Sequence, residues 1–335
     1  MNLNICILTD SAATANRTRR TEEIRAFLGS AGCEISVVAF GPGRLREFFR
    51  ATNRSDVVIA QISPRRSVIA ALMIWKAKVV FELRDPLCDW VYHTGRLRKL
   101  VDVALLFAAS TRGSAFLARS GLHLNLIERR LLGRKLALAP EFGVNSALVE
   151  LLEQDAEPDE SCVYCGNIYD DYYIAALNLV SSRLAVSLEW AGQFMYQPGR
   201  ELDAAVRPHG VLTKEKAIEL QLNAGTLVLV NSSGPEFIPS KLTELLCLGR
   251  PIIYVAKSHD RTAKFIDKLK IGIVFIAREM PEIRNSAVDL KDTISYRNIA
   301  RVSQLARRLF GHERYHERLA EIVRVAVSGT NDNRP

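Results

Sequence analysis

Two carboxylates at a fixed interval carry the most chemical information in this chain of 335 residues. Glu236 and Glu244 bracket the segment Glu236-Phe-Ile-Pro239-Ser240-Lys241-Leu-Thr-Glu244, and Leu-Leu-Cys-Leu-Gly249-Arg250-Pro251-Ile-Ile follows. A loop that enters a helix just before a buried strand is a geometry that holds phosphorylated ligands above a parallel sheet, because free N–H groups and the helix dipole face the anion. Carboxylates placed in that loop and in the first helical turns accept hydrogen bonds from sugar hydroxyls. The same carboxylates also suit a helix start for electrostatic reasons alone, as solvated partners of the dipole.

The elements that position this pair read directly from the pattern. Pro235 and Pro239 mark the loop, Gly249 ends the helix, and residues 252–255 form a short apolar strand. Upstream, strands are expected at 3–8, 34–40, 56–62, 78–83, 102–108 and 136–139. Helices are expected at 21–30, 67–77 and 112–120, with a further basic one before the third strand. After a polar, acidic stretch at 151–161 the alternation restarts, with strands at 162–166, 185–191, near 206, at 226–230 and 272–275. Helices at 174–181 and 214–223 lie between them, and helices at 295–310 and 313–327 follow. Alternating strands and helices imply parallel sheets covered on both faces. The expectation is an α/β chain of two Rossmann-like, doubly wound domains facing a central cleft. The first domain covers 1–150, the linker 151–161 and the second domain 162–310. Residues 311–335 form a helix that packs back towards the first domain and a frayed tail.

Composition narrows the class. No run approaches the ~20 apolar residues of a membrane span; the best, 67–81, is interrupted by Lys76 and Lys78. The first eight residues lack a basic start and a long apolar stretch, so they do not read as a secretory signal. Six cysteines in a chain of this length suit reduced thiols and a cytoplasmic protein. Cys162 and Cys165 lie in a strand pattern without a second Cys or His pair at zinc spacing, so no metal is expected. Residues 1–150 contain 22 Lys and Arg against 13 Asp and Glu, a net of +9, while 151–335 contain 23 against 24. The basic half points to an anionic partner such as a membrane surface or an acidic glycan. Nucleic acid is disfavoured, since no binding motif is present and aromatic residues are few. Thr9-Asp-Ser-Ala-Ala-Thr after the first strand has no glycine, and no phosphate-binding P-loop occurs, which disfavours nicotinamide and P-loop chemistry.

Several segments agree, in order, with one family. These are Asn16-Arg17-Thr-Arg19-Arg20 with the helix–strand entry through Gly32, and Val79-Val-Phe-Glu-Leu-Arg84-Asp85-Pro86. Asp102-Val-Ala-Leu-Leu follows with Ser110, then Val163-Tyr-Cys-Gly166-Asn167-Ile-Tyr169, His209-Gly210-Val211 and the Glu-x7-Glu segment with Gly249-Arg-Pro251. Together they resemble the GT-B glycosyltransferases, and most closely the retaining, glycosyltransferase family 4-like group. The resemblance implies transfer of a sugar from a nucleotide-sugar donor, without cofactor or metal, to a glycan or lipid-linked acceptor. It implies cell-surface polysaccharide or glycoconjugate synthesis on the inner face of a membrane. It places the donor in the second domain, with Glu236 at the sugar hydroxyls and Glu244 at the ribose. The N–H groups near Ser240 and Lys241, and the Lys241 ammonium, face the phosphates. Gly166, Asn167, Tyr169 and Gly210 line the same site.

One departure from the family concerns charge. Family members carry Arg and Lys after the first donor-domain strand; here Asn167-Ile-Tyr169-Asp170-Asp171-Tyr172-Tyr173 has two acids and no base. Either Arg207 or Lys241 replaces the missing cations, or the donor is less charged, or the chain is an inactive subunit that positions a partner transferase. A nucleotide-sugar epimerase on the same fold is a further alternative. On the acceptor side, His93, Asp85, Arg84 and Trp90 lie in the loop after the fourth strand, with His93 and Asp85 as candidates to act beside Glu236. Arg17, Arg19 and Arg20 in the first loop are candidates to grip an acceptor phosphate. Arg44, Arg46, Arg50 and Arg54 recur at helical spacing, which suits either anionic lipid or a wet outer face.

Overall fold

The computed structural model describes residues 3–10, 15–41, 43–61, 64–83, 96–118, 136–138, 146–153, 156–184, 187–232, 239, 241–276 and 294–328. The chain divides into two compact units, Met1–Pro140 with Glu313–Pro335, and Glu141–His312.

In the first unit the strands are β1 (Asn4–Asp10), β2 (Glu34–Phe40), β3 (Val57–Ala60), β4 (Lys78–Leu83), β5 (Ala115–Ala118) and β6 (Leu136–Leu138). They form one parallel sheet in the order β2-β1-β3-β4-β5-β6. The helices are α1 (Ala15–Ser30), α2 (Leu45–Arg54), α3 (Pro64–Leu72) and α4 (Arg96–Arg112). Strands such as Val57-Val-Ile-Ala60 are buried on both faces, as a parallel sheet covered by helices demands. Phe81 and Phe116 stack at 5.2 Å across β4 and β5, and Phe48 of α2 is fully buried against this core.

The first unit departs from the sequence expectation in two places. Residues 102–108 are not a strand; they lie inside α4, and β5 falls where a helix at 112–120 was expected. Leu100 to Ala109 is apolar on nearly every side, so it carries neither the alternation of a half-buried strand nor an amphipathic stripe. Length decides, since 17 residues of continuous helix exceed any ordinary strand. Second, α1 starts at Ala15, which places Arg17, Arg19 and Arg20 in its first turns rather than in a loop.

The second unit holds β7 (Cys162–Cys165), β8 (Leu188–Ala191), β9 (Val206–Gly210), β10 (Thr226–Asn231), β11 (Ile252–Ala256) and β12 (Gly272–Ile276). Its sheet is also parallel, in the order β12-β11-β10-β7-β8-β9. The strand order reverses between β7 and β10, and in open α/β sheets ligands bind at such a switch point, outside the carboxyl ends of the strands. The helices are α5 (Ser146–Glu153), α6 (Asp171–Leu184), α7 (Lys214–Asn223), α8 (Lys241–Leu248), α9 (Arg261–Leu269) and α10 (Tyr296–Phe310). Helix α5 overlaps the stretch read as a linker, and Val149 belongs to the second unit's core. Helix α9 follows no expected pattern. It is started by Asp260, whose carboxylate accepts from the Ala263 N–H at 2.8 Å.

A final helix, α11 (His312–Ser328), packs in the first unit. Its Tyr315 hydroxyl donates to the buried Glu82 carboxylate at 2.9 Å, and His316 stacks on Phe27 with centroids 4.6 Å apart. Glu82 also accepts from the Gln61 amide, whose oxygen accepts from Thr21 at 3.0 Å. A buried carboxylate is tolerable because several donors satisfy it. Glu82 and Gln61 sit at the carboxyl ends of β4 and β3, so α11 braces the end of the first sheet.

Candidate functional site

At the switch point of the second sheet, β7 ends in Cys165-Gly166 and β10 ends in Asn231, followed by Ser232. The strand ends are stitched by backbone. The Gly166 N–H donates to Ala191 O and the Gly192 N–H to Gly210 O, each at 2.8 Å. Gly166 O in turn accepts from the Trp190 indole at 2.8 Å. A Cβ on Gly192 would lie 2.1 Å from that Gly166 oxygen, so only glycine permits the β7 and β8 ends to approach this closely.

Helices α7 and α8 both run back along the sheet, so both begin at the carboxyl ends of the strands. Their far ends are clamped together. Arg250, in the Gly-Arg-Pro turn, donates to Leu222 O at the end of α7 at 2.7 and 3.0 Å. Gly249 closes α8 in the left-handed region, at φ 68°. Ser303 and Arg307 of α10 donate to Cys247 O at 2.9 and 2.8 Å, and Arg307 is held by Glu153. With their ends fixed, the starts of α7 and α8 present Lys214 and Glu244 to each other as an ion pair. Both side chains are partly buried, at 32% and 14% exposure.

Cys165 marks the floor of this group. Its thiol lies 3.8 Å from Ala217 O on α7. Burial pushes its pKa up to about 11, while Lys241 and Lys214 pull it down and Glu244 adds to the rise. Lys214, Lys241 and Glu244 are thus the charged groups that act on the Cys165 thiol at the end of β7. A third cation, Lys257 after β11, stands 4.9 Å over the ring of Tyr172 in the first turn of α6. An anion placed over the switch point meets the ammonium groups of Lys214, Lys241 and Lys257 and the starts of two helices, while the Asp260 carboxylate beside the end of β10 is taken up by Asn231, Tyr254 and the Ala263 N–H.

The acidic turn is spent elsewhere. Asp170 caps α6 by accepting from the Tyr172 N–H at 3.1 Å. Asp171 accepts from the Tyr196 hydroxyl at 2.5 Å and from the Gly199 N–H at 3.1 Å. The Tyr196 hydroxyl, followed by burial, backbone N–H groups and Arg200, sets the Asp171 pKa, with a net shift below the usual carboxylate range. Asp171 thus staples the loop after β8, while Asp170 remains at the start of α6.

Of the expected donor-site residues, Lys241 and Glu244 lie in the first turn of α8, and Gly166 and Asn167 directly follow β7. Tyr169 is exposed beside Tyr173, at 5.7 Å between ring centroids. Gly210 ends β9 two strands away and is linked to the group through Gly192. Arg207 lies on the exposed edge strand β9, in register with Glu189, and does not join them. Arg17, Arg19 and Arg20 lie in α1. Glu236, Ser240, Arg84, Asp85, Trp90 and His93 fall outside the described residues. Lys214 was missed in the sequence. Its only signal was a basic residue opening a helix after a strand, with Thr213 as its cap.

No family model matches the sequence, and no curated protein does. Solved structures do. Anabaena HepE in complex with UDP is 14% identical over 97% of this chain and 100% of its own, with TM-score 0.64. The fold is GT-B. Sucrose-phosphate synthase from Thermosynechococcus elongatus shares it at 12% identity, over 97% and 99% of the two chains, with TM-score 0.62. So does trehalose 6-phosphate synthase from Burkholderia multivorans, at 9% identity over 98% and 100%, with TM-score 0.61. These GT-B neighbours are glycosyltransferases, and HepE is also seen with UDP-glucose.

Proposed function

We propose that this chain is a glycosyltransferase that moves a sugar from a nucleotide-sugar donor to a glycan or lipid-linked acceptor, with retention at the anomeric carbon. The observation that carries this reading is the Lys214, Lys241 and Glu244 group at the switch point of the second sheet. In the reaction the bond from the anomeric carbon to the diphosphate oxygen breaks, and the nucleoside diphosphate leaves with the electron pair. An acceptor hydroxyl oxygen bonds to the anomeric carbon, and its proton passes to the oxygen of the departing diphosphate. Charge develops on the leaving phosphate, and fixed cations that meet it there lower the barrier. Lys214 and Lys241 take that role, supplying the cations absent after β7. Glu244 accepts from the ribose hydroxyls and Glu236 from the sugar. Complexes of HepE with UDP and UDP-glucose support a nucleotide-sugar ligand for this fold. The reading of an inactive subunit rested on the acidic turn, whose carboxylates are engaged in capping and stapling.

Thermal denaturation with a panel of nucleoside diphosphates tests the proposal. At least one should raise the melting temperature, and Glu244→Ala should remove most of that rise. No response to any of them sinks the donor assignment.

A further inference from the structure

Among the described residues of α3 and α4, large apolar side chains stand outward. Val68, Ala70, Ala71 and Ala109 turn inward and are fully buried, yet several described outward residues are large and apolar too. Ile69 and Leu72 are about half exposed, Leu100 and Phe107 more than half, and Trp75, in the turn after α3, is 85% exposed. On α4, Leu100, Ala104 and Phe107 recur at helical spacing and form one outward stripe. The turn that carries Trp75 is braced. The Arg112 guanidinium donates to Ala71 O at 3.2 Å, to Ile74 O at 3.0 Å and to Ala77 O at 3.0 Å. Large exposed apolar patches on folded domains mark contact with a protein or a membrane.

Charge identifies the occupant. Residues 64–78 and 96–112 contain eight Lys and Arg against one Asp, a net of +7 out of +8 for the whole chain. Lys76 and Lys78 are exposed and flank Trp75 in sequence. We propose that this face seats on an anionic lipid bilayer, with Trp75, Leu72 and Phe107 entering the interfacial layer and Lys76 and Lys78 meeting the headgroups. Tryptophan favours that layer because it offers an apolar body with one polar N–H. A two-fold contact with a second copy through Trp75 would bring Lys76 and Lys78 of both copies together. Among the described residues no helix is long and apolar enough to cross a membrane, so the face lies on the surface. Helix α2 is the weaker candidate, because Phe48 turns into the core and mainly arginines remain outside. Seating on lipid in this way does not depend on sugar transfer.

Co-sedimentation of the full chain with vesicles tests it, using phosphatidylcholine alone and phosphatidylcholine mixed with phosphatidylglycerol. Binding is expected to the mixed vesicles only. Trp75→Ser with Phe107→Ser should weaken it at least about tenfold, and Lys76→Glu with Lys78→Glu by roughly fivefold per lysine or more. All four positions are exposed, so far-ultraviolet circular dichroism and the melting temperature should stay at parental values. The charge-reversal pair keeps the test decisive if the apolar pair folds poorly. Absence of binding to the mixed vesicles overturns the proposal, and so does parental binding by both pairs. A dimer in light scattering that Trp75→Ser with Phe107→Ser makes monomeric assigns the face to a second copy instead. The vesicle assay contains no nucleotide, so its outcome holds whether or not a donor binds.

Discussion

Replacing Lys214 by Met removes one ammonium and keeps the stem that packs at the start of α7. The Lys214–Glu244 pair is partly shielded, at 32% and 14% exposure. Two unit charges about 4 Å apart at an effective permittivity of about 20 attract by about 4 kcal/mol. Desolvation of both groups and solvent access reduce the net to about 1–2 kcal/mol. Without ligand, Lys214→Met should therefore lower the melting temperature by a few degrees, at about 2–4 °C per kcal/mol for a unit of this size. The ligand effect is separate. A charged hydrogen bond to phosphate contributes about 2 kcal/mol, so its loss weakens binding about thirtyfold. At a ligand concentration near a hundred times the parental Kd, stabilisation of about 2.7 kcal/mol should fall to about 0.9 kcal/mol, a third of the parental shift. Differential scanning fluorimetry with and without nucleoside diphosphate measures both effects. Glu244→Gln in the Lys214→Met background should restore stability without ligand, because the stranded carboxylate is gone, yet leave the ligand shift small. A full ligand shift in Lys214→Met would refute the phosphate role and reduce Lys214 to a partner of Glu244.

Asp260→Ala removes a cap and strands the groups that the carboxylate satisfies, the Ala263 N–H, the Asn231 amide and the Tyr254 hydroxyl. A lost cap of about 1 kcal/mol and two buried polar groups at about 1–3 kcal/mol between them predict a loss of about 2–4 kcal/mol, read from urea midpoints. The thiols of Cys6, Cys162 and Cys165 are pushed up, mainly by burial, to about 11, about 12 and about 11. In the unfolded chain they ionise near pH ~8.5, so the folded state holds their protons longer. Their contribution is therefore complete below that pH and is lost as pH rises towards 11. Urea midpoints should be level near neutral pH and decline above pH ~9, and a flat alkaline profile would contradict the burial of these thiols.

Much of the second unit was legible because its signals are local. Thr226 to Asn231 is a continuous apolar strand, α7 starts after a Thr cap, and Gly249 stops α8, all within windows that a short pattern resolves. Helix α4 was not legible for the opposite reason. Its outward face is as apolar as its inward face, so the period that separates helix from strand is absent; the same property makes the face available for lipid. The site was half legible. Glu244 and Lys241 stand in one motif, whereas Lys214 lies 30 residues away and joins them only because Arg250 clamps two helices end to end. The direction of Asp171 was not legible, because sequence proximity to β7 says nothing of where a side chain points; Tyr196 and Gly199 draw it towards the loop after β8.

The bond from Tyr315 to Glu82 also bears on how the chain matures. Residues 1–140 emerge from the ribosome first, but Glu82 and Phe27 gain their α11 partners only after residues 313–328 have been made. The unit synthesised second is contiguous and can close as soon as His312 is out, whereas the unit synthesised first waits for α11 with a carboxylate short of one of its donors. Translation order and completion order are thus reversed. A ribosome stalled before codon 313 would carry a finished second unit behind an unfinished first one, the species on which a chaperone would act.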